Sequence, residues 1–315
     1  MDNLTHTLAG GLLGQMGLKR QSRLAMAGCL LGANAPDIDV FAPLFFNVQG
    51  IAFHRGPTHA VLGWPLLAAA IVGLLWLYDR WRPNPDAVPF RPLPLFLVTL
   101  AAVLSHPALD FLNTYGINIL APFSPKWVAG DAIFIIDWVF WLVMGGGIAL
   151  TVWRERRGGV PSGVPAQAAF GLLLAYIAFN LGLTQRVESA ATRALLNNRI
   201  HPTDIVASPP PFAFWRRTML WRDQKSYGVG SYSPSRGLSL TGREGLLHLD
   251  DPRLQAARKR SPRVRAFLYW SRMPMVVVQG GRAYLTDQRF LASNLLPNEK
   301  RGRSWRYDPF LIPLD

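Results

Sequence analysis

Four windows of this chain approach the length of a bilayer crossing, and whatever it folds into must give each of them a dry environment. They lie near 60–78, 93–113, 132–153 and 166–185, each close to the roughly 20 apolar residues that a membrane-spanning helix needs. After Gln185 no such window recurs. Two shorter segments, 4–18 and 24–35, are rich in Gly and Ala and are joined by Lys19-Arg20-Gln21-Ser22-Arg23. Small residues let helices approach closely in lipid, so these two segments predict a helical hairpin. The expected architecture is mainly α: a polytopic transmembrane helical bundle over 1–185, then a soluble region of mixed α/β structure over 186–315.

Charge divides along the same line. Of the 33 Lys and Arg residues, 11 fall in 1–185 and 22 after it, so the net charge of +14 belongs mainly to the second part. Within the first part, alternating crossings place Lys19, Arg20, Arg23, Arg80, Arg82, Arg91, Arg154, Arg156 and Arg157 on one side, against Arg55 and Lys126 on the other. The positive-inside rule makes the first side cytoplasmic. His6, Asp37, Asp39, His54, His59, His106, Asp110, Asp131 and Asp137 then collect at the opposite end. The start of the chain has no basic n-region, so the first helix is expected to be retained. An even number of crossings returns the C-terminal region to the non-cytoplasmic side; long domains cross with little regard to charge.

The second region offers one clear local pattern. Met275 to Val278, then Gly280-Gly281, then Ala283 to Thr286 predicts a β-hairpin with a Gly-Gly turn. The run Arg258-Lys259-Arg260-Ser261-Pro262-Arg263-Val264-Arg265 reads as a solvated face or a contact with lipid headgroups, and nucleic acid is disfavoured as a partner. His201 and His248 read as surface residues. Cys29 is the single cysteine, which excludes an internal disulfide and a Cys-rich zinc site. Oligomeric state is left open.

Chemistry concentrates in three stretches of the first region. In His54-Arg55-Gly56-Pro57-Thr58-His59, Pro57 suits the first position of a helix. That placement puts His59 in the opening turn and leaves His54 and Arg55 in the lead-in loop, where a helix N-terminus favours an anion; a plain polar cap is the alternative. Pro36-Asp37-Ile38-Asp39 sets two carboxylates at the end of the hairpin. His106 and Asp110, four apart, share a helical face, with Pro107 beside them. Asp137 falls inside an apolar window, which is costly unless it is paired, metal-bound or facing water. The Phe-rich loop 40–53 reads as packing against neighbouring helices rather than as a lid touching lipid.

Imidazoles and carboxylates without thiolates suit zinc, manganese or iron, and bridging carboxylates can hold two ions. The chain has no Gly-x-Ser-x-Gly elbow and no Cys/His pair, so activated water is the natural attacker. Arg55 would hold a phosphate oxygen. Asp39 is either a further ligand or the base that orients water. A metal-ion transporter or sensor, and a membrane scaffold with a structural metal, are the rival readings.

His6 in Thr5-His6-Thr7, Pro36-Asp37-Ile38-Asp39, the His54–His59 stretch and His106-Pro107-Ala108-Leu109-Asp110 together resemble, in order, the motifs of YdjM-type membrane-bound metal-dependent hydrolases of bacteria. The resemblance covers roughly the first 140 residues. That family is in turn distantly similar to zinc-dependent phospholipase C and P1-type nucleases. The resemblance implies a hydrolase of the inner membrane, with His6, Asp37, His54, His59, His106 and Asp110 as metal ligands and Asp131 and Asp137 tuning the histidines. Its substrate would be a phosphoester, such as a phospholipid or a lipid-linked molecule. The amino-terminal Trp and the later His-x-x-x-Glu of the soluble enzymes are missing, so one or two ions are expected, with zinc first.

Overall fold

Small residues decide how the first helices meet. Asp2 caps α1 (Asn3–Gln15), its carboxylate accepting from the Thr5 N–H at 3.1 Å. A 3-10 turn, Leu18–Arg20, leads to α2 (Ala25–Asn34), and the two helices pack as the expected hairpin. A Cβ on Gly10 would lie 2.5 Å from the Cys29 carbonyl oxygen, so the α1 backbone rests directly on α2. A second 3-10 segment, Ala35–Phe41, and two short helices, α3 (Ala42–Phe45) and α4 (Gly50–Phe53), follow. The long helices are α5 (Gly63–Trp81), α6 (Pro92–Phe111), α7 (Trp138–Arg156) and α8 (Val164–Asn197). The computed structural model describes residues 1–46, 48–84, 88–158, 162–291 and 310–314, so parts of the linkers after Trp81 and Arg157 lie outside the described residues.

The protein is mainly helical with a C-terminal β region, and it divides into two compact units. The first comprises Met1–Ala42 and His54–Gly182; the second comprises Pro43–Phe53 and Leu183–Asp315. The expected boundary at 185 falls inside α8, which runs unbroken to Asn197 because an amphipathic stretch takes over where the apolar window ends. Among the described residues, α6 and α8 are long and apolar enough to cross a membrane. The windows near 60–78 and 132–153 form α5 and α7, 19 residues each, whose last turns carry Asp79-Arg80 and Arg154-Glu155-Arg156 and so shorten the apolar length.

In the helical unit α2 lies against α6 and α1, α5 against α6, and α1 against α7. One core gathers Cys29, Ala33, Leu75, Leu95, Val98 and Val103; the other gathers Leu12, Ile133, Phe140, Met144, Ala169 and Leu173. Gly28 and Gly32, one helical turn apart, face α6: a Cβ on Gly32 would meet the Thr99 carbonyl oxygen at 2.8 Å. Gly32→Leu is therefore expected to push α2 off α6, costing about 1–3 kcal/mol from overpacking and separating Asp37, which follows α2, from His106 on α6. Thermal unfolding of the purified variant would check the cost.

Polar groups tie one pole of this unit together. Lys19 Nζ meets Glu155 at 2.5 Å, Arg23 meets Asp79 at 2.8 Å, and the Arg91 N–H donates to Ser22 Oγ at 2.8 Å. These contacts join the hairpin turn, the C-terminal ends of α5 and α7 and the start of α6, the ends that carry the basic residues. Asp110 lies at the other end of α6, about 28 Å from Arg91 by helix rise.

The second unit holds two antiparallel sheets. Strands β1 (Asp204–Ser208), β2 (Arg217–Arg222), β3 (Ser226–Ser233) and β4 (Gly237–Leu240) lie in that order, with β5 (Gly245–Leu246) also on β3. Val187 and Ala191 of α8 pack with Ala207 and Met219. The basic run lies on α9 (Pro252–Arg260) and α10 (Pro262–Trp270). Strands β6 (Pro274–Gln279) and β7 (Arg282–Asp287) form the expected hairpin, Gln279 facing Arg282 across Gly280 and Gly281, both with positive φ. A four-residue helix, α11 (Gln288–Leu291), and β8 (Ile312–Pro313) beside β7 complete the unit. Within it α4, from the Phe-rich loop, packs on α10, while Leu44, Phe45 and Phe46 stay exposed.

Candidate metal site

At the end of the helical unit away from the basic pole, four segments converge. His6 comes from the first turns of α1, Asp37 and Asp39 from the 3-10 segment after α2, His54 to His59 from the turns before α5, and His106 and Asp110 from the last turns of α6. The i,i+4 spacing on α6 does what the sequence predicts, and the helix continues through Pro107. The His54–His59 stretch departs from expectation. It forms consecutive turns, α5 begins only at Gly63, and so neither Pro57 nor His59 is helical. The cause is Asp39: its carboxylate accepts from the Arg55 N–H at 3.0 Å and from Thr58 Oγ1 at 2.6 Å and bonds His54 Nδ1 at 2.7 Å. A side chain that collects so many donors of the loop holds it in a turn and competes with the helical alternative.

One oxygen or nitrogen each from Asp37, His59, His106 and Asp110 lie within 4.8 Å of one another. His106 Nε2 is 3.2 Å from Asp37 Oδ1 and 3.5 Å from Asp110 Oδ2, and His59 Nε2 is 3.3 Å from Asp110 Oδ2. Despite these distances, His59 Nε2, His106 Nε2 and Asp110 Oδ2 are buried without a properly aligned hydrogen-bond partner. Buried polar atoms normally find partners. Lone pairs that face a common point and not one another are what a cation requires, and this donor set fits a divalent ion. His106 Nδ1 bonds the Ala33 carbonyl at 2.7 Å, which fixes the tautomer with the Nε2 lone pair turned inward.

A second group, Asp37, Asp39 and His54, shares Asp37 with the first. His54 is the most open member, its side chain 28% exposed, whereas Asp39 is fully covered. His6 stands beside the first group: its ring stacks on His106 with centroids 3.6 Å apart and its Nε2 is 3.4 Å from Asp110 Oδ1. Both its nitrogens lack hydrogen-bond partners, so it is a further available ligand. The Met1 amino group also donates to Asp110 Oδ1. Burial would raise the carboxyl pKa of Asp37, but His106 and His59 hold it well below the usual carboxylate range. For Asp39 burial is likewise outweighed by His54 and His59, so both carboxylates are ionised and ready to ligate.

Arg55 is buried inside this cluster rather than displayed beside it. Its Nη2 meets Asp110 Oδ1 at 3.0 Å, its Nη1 donates to Asn113 Oδ1 at 3.0 Å, and its guanidinium lies 4.8 Å from the Tyr115 ring centroid. Burial pulls its pKa down to about 10, which still leaves it charged at neutral pH. Nε is the donor it keeps without a partner. Asp131 and Asp137 serve other groups. Asp131 accepts from Thr114 Oγ1. Asp137 is not inside a span; it caps α7 by accepting from Val139 and Phe140 N–H and takes the Tyr176 hydroxyl at 2.8 Å. Thr58, Asn113 and Tyr115 escape sequence reasoning as site residues; Asn113-Thr114-Tyr115-Gly116 directly after the His106–Asp110 pair is the signal that was there to use.

The chain is 32% identical over 231 residues to the uncharacterized protein YfhP of Bacillus subtilis (strain 168), a match covering 69% of this chain and 64% of that protein. The chain thus spans less than two thirds of that relative's length. No solved structure matches. The YdjM inner membrane protein family profile matches residues 1–187, a stretch that contains every group of the candidate site. The chain belongs to the YdjM inner membrane protein family.

Proposed function

We propose that this protein is a multi-pass, membrane-bound, metal-dependent hydrolase that cleaves a phosphoester, its site opening at the non-cytoplasmic surface. The observation that carries this reading is the set of buried, unpartnered imidazole nitrogens and a carboxylate oxygen drawn together at the pole away from the basic residues. Zinc is the first choice for a site of nitrogen and oxygen ligands, with manganese or iron next. One or two ions, with Asp37 common to both ligand groups, would lower the pKa of a water and stabilise the charge that develops on oxygen as the ester breaks.

The chain's own groups supply the rest. Asp39 orients His54 through Nδ1, which leaves Nε2 at the mouth of the site. Arg55 holds Asp110 in position and offers Nε to an oxygen of the substrate. A guanidinium fixed at two ends before substrate arrives costs no reorganisation in the reaction. The transporter reading is weaker, since ion passage needs polar groups through the bilayer depth and the two cores between the site and the basic pole are apolar.

Purified protein should carry stoichiometric divalent metal and hydrolyse a phosphodiester. Arg55→Lys should keep the metal and lower kcat/KM about 100-fold, because an ammonium cannot span Asp110, Asn113 and the substrate at once. Stoichiometric metal with no turnover on any phosphoester, together with ion uptake into liposomes, would replace this reading with transport.

A further inference from the structure

A cavity of about 430 Å³ opens in the side of the helical unit, between α1, α6, α7 and α8. Its floor is Leu12, Phe140, Met144 and Leu173, all buried, and its rims are Leu104 of α6, 38% exposed, and Leu174 of α8, 51% exposed. Ser105 is the single polar residue in the wall, and its hydroxyl donates to the Ala102 carbonyl at 2.6 Å. Water entering such a cleft would find almost no partner. Left empty, a void this large would forfeit the packing of its whole lining.

The place and shape of the cleft narrow its occupant. Wall residues Ser105 and Leu109 immediately precede His106 and Asp110 on α6, and Ala9 follows His6 by one turn of α1. From Leu112, beside the site, the wall descends α6 to Ala101, about 16 Å by helix rise. A cleft of this volume drawn out along about three turns of α6 is long and narrow, the shape of a single extended hydrocarbon chain and not of a partner helix about 10 Å across.

We infer that this cleft receives one acyl chain of a membrane glycerolipid whose headgroup phosphoester then lies against the metal site. The inference rests on the hydrolase reading for what happens to the headgroup, but not for the seating of the chain. The lipid enters sideways between α6 and α8, with its chain beside Leu104 and Leu174, and need not be drawn out of the bilayer.

The test uses the full-length protein in nanodiscs containing phosphatidylglycerol with a mid-chain diazirine, irradiated and mapped by mass spectrometry. Label should concentrate on residues 101–112 and 170–177. Ala108→Trp and Ala101→Trp, both at exposed cleft positions that a large side chain can fill, should cut it to about a tenth, the change expected from forfeiting the burial of about two methylenes. An unchanged gel-filtration profile and helical circular dichroism would show that each variant is folded. Label spread evenly over the outer faces of the helices, and unchanged in both folded variants, would overturn the inference. Labelling needs no turnover, so label confined to the cleft in a protein that hydrolyses no ester would uphold the seated chain and remove only the hydrolase reading.

Discussion

His106→Ala and Asp110→Asn are each expected to lower metal affinity by at least about 100-fold, since removing even a residue that merely supports a ligand costs 10–100-fold. Each change removes one of the four donors, from Asp37, His59, His106 and Asp110, that lie within 4.8 Å of one another. Asp110→Asn does more than delete a charge: it withdraws the carboxylate that Arg55 grips at 3.0 Å, leaving a buried guanidinium with a poorer partner. Metal content after size-exclusion chromatography, with an isothermal titration of zinc, would measure the loss. His201→Ala, at an exposed position of the other unit, serves as the control. Full metal occupancy in both variants would remove the site and the function built on it.

The largest effect on stability is expected from Asp287→Ala in the C-terminal unit. The Asp287 carboxylate accepts from Ser271 Oγ at 2.5 Å, from the Met273 N–H at 3.1 Å, and from the backbone and guanidinium of Arg289 at 2.8–2.9 Å. Removing it takes the carboxylate away from a buried guanidinium and from the Ser271 and Met273 donors at the junction of β7 and α10, which costs about 3–5 kcal/mol. Urea unfolding followed by tryptophan fluorescence would report it, since Trp221 and Trp270 are both buried in this unit. Burial would raise the Asp287 pKa, but Arg289 and Ser271 bring it to about 2, below the roughly 3.9 of an exposed aspartate. The stabilisation is therefore complete above about pH 4 and is lost as pH falls toward 2, and the variant should lack that acid-dependent component.

Much of the site was legible because local spacing alone implies proximity. His106 and Asp110 share a face whatever surrounds them, and a Pro-Asp-x-Asp stretch at the mouth of a close-packed hairpin has few other places to go. The Gly280-Gly281 hairpin was legible for the same reason. The turns at His54–His59 were not, since Pro57 is a fair helix opener and only Asp39, 15 residues earlier in sequence than His54, overrules it. Asn113 and Tyr115 gain meaning only once Arg55 is seen to lie beside them. The apolar span expected to end at Gln185 and the amphipathic helix that Arg186 to Asn198 can form run together as α8, because hydropathy reports where a helix could meet lipid and not where its backbone stops. The first sheet of the C-terminal unit was foreseen only as mixed structure, its short strands lacking any tight turn as plain as Gly-Gly.

The segment Pro43–Phe53 leaves the helical unit after Ala42 and rejoins it at His54, yet it is built into the other unit, where α4 meets α10. The backbone therefore passes between the units three times, at 42–43, 53–54 and 182–183. Synthesis imposes a delay as well. The ribosome delivers α4 roughly 200 residues ahead of α10, although domains generally fold in the order in which they emerge. The stretch of chain between Asp39 and His54 is therefore made long before α10, the helix that α4 packs on, exists.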